Sequence, residues 1–531
     1  MKKFSIKLLW TAILAFTMIA CTEGFEEFNK NPHALNDLDP GVQLTTVLLD
    51  LSGNREEVWR YDLGITSPKM QHLAGSWWTQ HGGQYRVVER SHWFSKWETQ
   101  YPREVKNIVD LVERTRGVEE HHNTHQAARI IRVYVFSRLT DLYGDIPYSE
   151  AGMGYFKGIL QPRYDRQQDI YNDFFKELGE AVAALDATKG AVRGDLLFNG
   201  NVDRWKRFGN SLRLRLGFRL TKVDAARAQT EVTAALTAGV MTSNADIAMI
   251  RHAPFSFQGG GLENRGNGRS QVFQASDNSE GYRLTRTLVD FMKNSSDPRL
   301  TRFGGTYLGI VGGVYGRDIT RYLQMGMEPG AMWWNLWADH GYVTIAPGDS
   351  VLVSHVNKFM HPSRYVAALD APFFHLTFAE VELLRAEAII RGWASGNAAA
   401  TFHSALRAAC LHTNHYPGAP PMTEDEITDF ITANPFPVGF ANQMEAIHNQ
   451  MWVNFFLNGA EAFANWRRTG FPSLVPFTTL QWYTSGTGGV IPRRFFYPEF
   501  EAINNPVNFR EAVDRMGGTD SWLTRVWWDA L

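Results

Sequence analysis

Cysteine is scarce in this sequence, since only Cys21 and Cys410 occur among 531 residues, and the fold cannot depend on a disulfide framework. Positive charge is not in excess either: 53 Lys and Arg face 55 Asp and Glu, and the formal net charge is −2. Because a nucleic-acid surface needs clustered basic residues, we expect no nucleic-acid partner. No low-complexity tract occurs, and 44% of the residues are hydrophobic, which predicts a large folded core.

Recognisable catalytic motifs are missing as well. The sequence has no G-x-S-x-G, no H-E-x-x-H and no G-x-x-x-x-G-K-[ST], so the usual signatures of serine hydrolases, zinc proteases and P-loop nucleotide sites are absent. We expect a protein that is not an enzyme and uses no cofactor. A glycoside-processing enzyme remains the alternative, because a pair of catalytic carboxylates needs only to be close in space.

A hydrophobic run long enough to span a bilayer is not found at the N-terminus. Lys2, Lys3 and Lys7 precede or flank an apolar run over residues 8–20, which is shorter than the ~20 residues that a membrane span requires. This pattern predicts a secretory leader. Cys21 follows the leader directly and resembles the acylated cysteine of a bacterial lipobox. Acyl chains on Cys21 would anchor the protein to a membrane without inserting it.

Three parts of the chain are therefore expected. Residues 1–20 form a lipoprotein signal peptide, 21–40 an acylated, polar tether, and 41–531 a single domain. Cys410, which then has no cysteine partner, lies on an apolar helix face and is expected to be a small buried hydrophobe rather than a catalytic thiol.

Helical periodicity dominates the sequence outside one central section. Apolar residues recur three or four apart before Leu142, and Gly144 and Pro147 then end that helix. The segment 381–410 is similar to a tetratricopeptide helix–turn–helix unit. We expect stacked helical hairpins within about 93–221 and 378–468, because such a hairpin buries its apolar face only against a neighbour. The section of about 240–375 loses this periodicity and is rich in glycine, which predicts a loop-rich, irregular insertion.

Aromatic residues are plentiful, at 13% with 17 Trp. Tryptophan and tyrosine rings stack on the apolar faces of sugar rings and on peptide side chains, and neighbouring polar groups then orient the ligand without reacting with it. Several rings lie in glycine-containing segments where loops usually carry binding groups. A core position is the alternative for each tryptophan. The candidate ligand-binding residues are Trp77, Trp78, Gln80, Trp333, Trp334, Trp337, Trp482 and Tyr483.

Two charged or metal-ligating patterns have plainer explanations. His121, His122 and His125 could place two imidazoles on one helix face, but the stretch is polar and lacks a metal-site motif, so we expect a solvated helix start and no metal. Arg213, Arg215 and Arg219 alternate with leucines, and we expect ion pairs on the helix surface. At the end of the chain, Trp527 and Trp528 are expected to be interior.

Several blocks of the sequence, taken in order, resemble one family. LTDLYGDIPYSEA at 139–151 looks like the signature of the SusD/RagB family of nutrient-binding outer-membrane lipoproteins of Bacteroidetes-type bacteria. Further similar blocks follow in the family's order at 162–181, 200–220, 378–392, 458–472 and 491–529.

The resemblance implies a mainly α fold, a SusD-like α–α superhelix of tetratricopeptide-like hairpins. It also implies a protein on the cell surface, anchored by lipid to the outer membrane, that captures oligosaccharide and passes it to a SusC-like TonB-dependent transporter. A RagB-like peptide-binding protein is the alternative within the family. Carbohydrate-binding members hold their ligand with aromatic residues upstream of the signature helix and in the central insertion, where Trp77, Trp78, Trp333 and Trp334 fall.

Overall fold

The computed structural model describes most of the chain after the first 37 residues. The described residues are 38–76, 78–87, 90–255, 264–274, 281–332, 336, 340–474, 479–480, 483–484 and 486–531. Pro40–Leu531 forms one compact unit. The predicted leader, Cys21, Trp77, Trp333, Trp334, Trp337 and Trp482 lie outside the described residues.

Helices provide most of the regular structure. Within the described part of the chain, no helix combines the length and the apolar character that a membrane span requires. The α-helices of nine residues or more are α1 Pro40–Asp50, α2 Ser91–Gln100, α3 Lys106–Thr115, α4 His122–Tyr143, α5 Gln167–Ala184, α6 Val202–Arg219, α7 Ala225–Ala238, α8 Arg286–Asn294, α9 Phe378–Ile390, α10 Ala398–His412, α11 Glu424–Ala433, α12 Phe440–Asn454, α13 Gly459–Thr469 and α14 Pro506–Arg515. Shorter α-helices are Arg55–Glu57, Ser67–Lys69, Thr79–Gly83, Gly154–Lys157, Gly268–Gln274, Leu300–Phe303 and Glu501–Asn504, and wider π-helical turns span Val58–Thr66 and Tyr101–Val105.

The helices pack as neighbouring pairs, which confirms the predicted mainly α fold of stacked hairpins. Helix α4 contacts α3 and α5, α6 contacts α5 and α7, and α9 contacts α10 and α12. The predicted apolar stripes are buried, as at Ile170 and Phe174 in α5 and at Trp205 and Phe208 in α6. Stripes at this spacing lie on one face of a helix, so adjacent helices share a core.

Helix α4 lies deeper than its sequence predicts. It ends at Gly144, whose φ is +84° and whose N–H donates to the Thr140 carbonyl at 2.8 Å. This confirms the predicted stop. The sequence indicates one buried stripe, yet polar positions are buried too: Arg138 is buried and donates to the Leu51 carbonyl at 2.8 Å and to the Tyr61 hydroxyl at 2.9 Å. Neighbouring elements thus cover more than one side of α4.

The strands are short and form only two-stranded antiparallel pairs among the described residues. The section of about 240–375 contains many of them and, apart from α8, only short helices, as its loss of periodicity predicts. The strands are β1 Leu73–Gly75, β2 Ile146–Pro147, β3 Tyr164–Asp165, β4 Ala248–Ile250, β5 Tyr282–Leu284, β6 Gly304–Gly305, β7 Ile310–Val311, β8 Val314–Tyr315, β9 Gly341–Ala346, β10 Asp349–Val353, β11 His361–Pro362, β12 Phe373–Leu376, β13 Thr479–Leu480 and β14 Tyr483–Thr484. The pairs are β1–β5, β2–β3, β4–β12, β6–β11, β7–β8, β9–β10 and β13–β14.

The arginines of α6 form ion pairs, but the prediction that they do so on the helix surface is wrong for two of them. Arg215 and Arg219 are buried. Arg215 binds Glu380 with two hydrogen bonds of 2.6 and 2.7 Å, and Arg219 donates to Glu461 at 2.7 Å. Because a buried charge must be paired, these contacts join α6 to α9 and α13 inside the core.

The remaining expectations for single residues have mixed outcomes. Cys410 is buried, as predicted, and burial raises the pKa of its thiol to about 12. Trp528 is interior as predicted, whereas Trp527 is only partly buried against the core. The prediction of a solvated helix start at His121, His122 and His125 is wrong for His125, which is buried. His122 bonds to the Ala184 carbonyl at 2.7 Å and His125 to the Thr115 hydroxyl at 2.9 Å, so these two rings tie α4 to its neighbours.

Candidate functional site

Trp78 has an unusual backbone conformation. Its φ is +76°, in the left-handed region that costs a residue with a side chain roughly 1–2 kcal/mol. The conformation lets the Trp78 carbonyl accept hydrogen bonds from the N–H groups of His81 at 2.9 Å and Gly82 at 3.3 Å, which starts the short helix Thr79–Gly83. Strain of this kind clusters at functional sites, so the position of this ring is a candidate for function.

Aromatic and imidazole rings surround Trp78, and we call Trp59, Trp78, His81 and His92 the Trp78 cluster. The centroid of the Trp78 ring lies 4.6 Å from that of His92 and 5.4 Å from that of His81, and Trp59 packs edge-on against His92 at 5.5 Å. Trp78 is half-buried. With Arg86, three of these rings line a shallow recess, whose volume of about 220 Å³ includes space open to solvent.

Two buried polar atoms beside Trp78 have no hydrogen-bond partner among the described residues. They are Oε1 of Gln80 and Nδ1 of His81. The Nε2 atoms of the same two side chains lie 3.3 Å apart. Burial and the nearby Arg86 charge lower the pKa of His81 to about 4, so this imidazole is neutral near pH 7. Buried polar groups are rarely left unsatisfied, and both atoms are candidates to bind ligand hydroxyls.

The turn after this helix contacts the central insertion. The side-chain amide of Gln84 donates to the Gly330 carbonyl at 2.6 Å, and a Cβ on Gly83 would lie 2.9 Å from the Gly330 nitrogen. Leu336, the described residue between Trp334 and Trp337, packs against a small apolar cluster that includes Ala74. The segments that flank two of the predicted aromatic groups therefore lie together.

The third predicted segment reaches the same turn. The Gly486 N–H donates to the Gln84 carbonyl at 3.4 Å, and a Cβ on Gly486 would lie only 2.6 Å from the Tyr85 carbonyl oxygen. Glycine is needed there because the two backbones approach closely. Two distant parts of the chain, at Gly330 and at Gly486, thus reach the turn Gln84–Arg86.

The predicted site residues are described only in part. Trp78 and Gln80 lie at the start of the short helix that leads into the turn Gln84–Arg86. The backbone of Tyr483 is part of strand β14, which precedes Gly486 in the sequence. Trp77, Trp333, Trp334, Trp337 and Trp482 lie outside the described residues, and their roles stay predictions. Sequence reasoning missed Trp59, His81, Arg86 and His92; a signal for His81 and His92 was available, since each lies close to a tryptophan in sequence.

Comparison with known proteins identifies the family. A family model described as SusD-like_2, "Starch-binding associating with outer membrane", matches residues 32–498. A solved structure of a chitin-binding protein is 35% identical, covers 93% of this chain and 100% of its own, and superposes with a TM-score of 0.80. A SusD-like structure from Bacteroidetes is 32% identical, with the same coverage of 93% and 100% and a TM-score of 0.85.

More distant structures share the fold. A chitin-binding SusD homologue from Flavobacterium johnsoniae is 22% identical, covers 92% of this chain and 98% of its own, and has a TM-score of 0.71. Among proteins with curated descriptions, none matches the sequence. The family-model match over most of the chain, together with two relatives above 30% identity, shows that the chain belongs to the SusD-like family.

Proposed function

We propose that the protein captures oligosaccharides at the cell surface and delivers them to a TonB-dependent, SusC-like transporter in the outer membrane. The observation that carries this proposal is that two distant segments contact the turn Gln84–Arg86, since the segment of this turn and both of the others hold candidate stacking rings. The descriptions printed for the family and for its relatives, starch-binding and chitin-binding, support a glycan as the ligand.

The chemistry of the recess suits binding rather than catalysis. Its described lining residues are Gly64, Ile65, Trp78, His81, Gly82, Arg86, His92 and Trp93, and none of them is a carboxylic acid. A glycosidase needs two carboxyl groups at the scissile bond. A half-buried indole ring and unsatisfied polar atoms can instead hold a sugar by stacking and hydrogen bonding.

Anchoring through Cys21 is the second part of the proposal. The family is associated with the outer membrane, and the short apolar run before Cys21 supports cleavage and acylation there. Mass spectrometry of the mature chain would detect acyl groups on Cys21, and Cys21→Ala should release the protein from the membrane fraction. An unacylated mature chain would overturn this part.

Calorimetry of the mature chain against chito-oligosaccharides, malto-oligosaccharides and a peptide panel tests the ligand class. The measurement is repeated with Trp77, Trp78, Trp333 and Trp334 each changed to Ala. Removal of a stacking ring should weaken glycan binding by roughly 1–3 kcal/mol, on the scale of base stacking on aromatic side chains. Trp393→Ala is the control, because Trp393 is also half-buried but stacks on Phe218 outside the recess.

Each other outcome has a defined meaning. Glycan binding by all four variants at the parent's affinity would contradict the site. Binding of peptides alone would indicate the peptide-binding alternative within the family. Turnover of a glycan that a single carboxylate substitution abolishes would indicate an enzyme. Affinity purification of the tagged chain from its native outer membrane should recover the transporter.

A further inference from the structure

Three parts of the chain line a second, larger groove. They are the end of α2 together with the turn that follows it, the loop over 147–162, and the segment Phe500–Asn505. It encloses about 980 Å³, including space open to solvent. Its lining residues are distinct from those of the Trp78 recess. Glycan capture at Trp78 therefore does not account for this groove.

Most of the side chains that line this groove are apolar, and Trp97 is too deeply buried to offer its ring face to a sugar. Trp97, Tyr101 and Phe500 contribute the aromatic side chains. Trp97 is only 4% exposed, and its ring packs against Tyr101 at 4.7 Å with a 45° tilt. Three prolines and Leu160 complete the apolar surface. A surface of this kind fits aliphatic or proline side chains better than the stacked face of a sugar.

The segments that line the groove expose large apolar side chains. Leu160, which lines the groove, is 85% exposed, and Tyr155 in the same loop and Ile503 in the segment Phe500–Asn505 are 92% and 80% exposed. Single exposed apolar residues are ordinary, but a group of them beside a groove marks an interaction site.

Hydrogen bonds join the loop over 147–162 to the residues around Asn505. Gln161 Nε2 donates to the Asn504 carbonyl at 2.9 Å, and Asn505 Nδ2 donates to the Pro162 carbonyl at 2.7 Å. Asn508 Nδ2 adds a bond of 3.1 Å to the Gln161 carbonyl. The surface is therefore preorganised, which lowers the entropy cost of binding a partner.

Two acidic side chains line the groove. They are Glu98 and Glu501, and its described lining residues include no Lys or Arg. Burial raises the pKa of both carboxyl groups, although the charge of Arg60 acts in the opposite direction on Glu98. The Tyr164 hydroxyl donates to Glu501 at 2.6 Å and fixes its position. A partly desolvated carboxylate attracts a cation more strongly than one in bulk water does.

We propose that this groove docks an extended segment of a partner protein, which inserts an apolar side chain between Tyr101, Leu160 and Phe500 and brings a Lys or Arg to Glu501. The apolar floor and the acidic edge complement such a segment, whereas the Trp78 cluster serves a different ligand. The proposal does not depend on the identity of the glycan.

A random nine-residue peptide library displayed on phage is the probe. The mature chain is the bait, and Leu160→Asp serves for counter-selection. Enriched sequences should combine apolar residues with Lys or Arg. A synthetic peptide of one such sequence should lose at least tenfold in affinity for Leu160→Asp and about threefold or more for Glu501→Gln, which keeps an acceptor for Tyr164. Val438→Asp, at an 89% exposed position outside the groove, should bind like the parent.

Three results would overturn the proposal. The first is no enrichment over the counter-selection, and the second is enrichment of acidic sequences. The third is a concentration-dependent dimer in analytical ultracentrifugation that Leu160→Asp abolishes, because the occupant would then be a second copy of the chain. Glycan calorimetry on Leu160→Asp should match the parent, so a failure here is distinct from a failure of the proposed glycan site.

Discussion

The side-chain amide of Gln84 donates a hydrogen bond of 2.6 Å to the carbonyl oxygen of Gly330, 246 residues further along the chain. Gln84 is fully buried. This bond holds the turn after the short helix Thr79–Gly83 against the segment that leads to Trp333. The backbone of Gly486 contacts the same turn. The proposed glycan site therefore depends on a contact between distant parts of the chain.

Gln84→Met should weaken glycan binding, because it removes the donor that holds the Gly330 segment. The lost bond should also lower the free energy of unfolding by about 1–3 kcal/mol. Amide hydrogen exchange of residues 330–332 should become faster. Gln100→Met is the matched control, since Gln100 is also buried and donates to a backbone carbonyl, that of Val135. The control should lose stability but keep the parent's glycan affinity; an equal loss of affinity in both variants would contradict a local effect.

The backbone of Trp78 allows a second prediction about stability. At φ +76° glycine is unstrained and alanine is not, so Trp78→Gly should be more stable than Trp78→Ala by about 1 kcal/mol. Trp466, half-buried within helix α13, provides the control. There the order should reverse, since glycine costs about 1 kcal/mol relative to alanine inside a helix. Chemical denaturation of the four variants measures both differences, and the same order at both positions would contradict strain at Trp78.

Much of the helical scaffold could be predicted from the sequence, because helix formation leaves a local period of three or four residues. The stripe from Ile170 to Leu185 and the stop at Gly144 depend only on neighbours in the chain. The environment of Arg215 did not follow from such a pattern. Its partner Glu380 is 165 residues away, so the alternation of arginine and leucine could not show that the ion pair is buried.

The candidate site could be predicted only as three separate segments. Aromatic residues near glycines indicated which loops to consider, but the contacts of Gln84 with Gly330 and Gly486 join segments far apart in sequence. No local period encodes such contacts. The positive φ of Trp78 was equally hidden, because tryptophan rarely adopts it and nothing in its neighbours demands it.

Two buried lysines should respond to the same substitution with opposite signs. Lys69 lies among the rings of Trp93, Phe463 and Phe495 at 4.2–5.0 Å, and its Nζ has no hydrogen-bond partner among the described residues. Burial, reinforced by nearby arginine charges, lowers its pKa well below the usual value. Lys69→Met should therefore raise the free energy of unfolding at pH 7 by roughly 1–3 kcal/mol, as measured by urea denaturation.

Lys96 is the matched control for Lys69. It is equally buried but forms an ion pair with Glu57 and lies 3.6 Å from Glu104. Burial raises the pKa of Glu104 to about 8, so Glu57 is the carboxylate that Lys96→Met would leave without its cation, which should cost about 3–5 kcal/mol. Destabilisation of similar size in both variants would contradict the interpretation of Lys69 as an uncompensated buried amine.

Part of the fall in the free energy of unfolding at acidic pH should come from His72. Its Nε2 lies 3.0 Å from the Trp452 carbonyl oxygen, so the Nε2–H group donates a hydrogen bond to that oxygen. Burial lowers the pKa of the imidazole to about 4. Between pH 4 and 6.5 the folded protein therefore binds fewer protons at His72 than the unfolded chain does. The contribution of neutral His72 to the free energy of unfolding is present above pH 6.5 and is lost as the pH falls toward 4. At about 1.4 kcal/mol per pKa unit, the loss should approach about 3 kcal/mol.

His72→Gln separates the hydrogen bond from the titration. The amide of glutamine can still donate to Trp452, but it takes up no proton in this range. Urea denaturation at pH 7 and pH 4.5 should show a smaller fall in the free energy of unfolding for the variant than for the parent. If both proteins lose the same amount, His72 is not a source of the acid sensitivity, and other buried histidines such as His412, whose pKa burial lowers to about 3, would carry it instead.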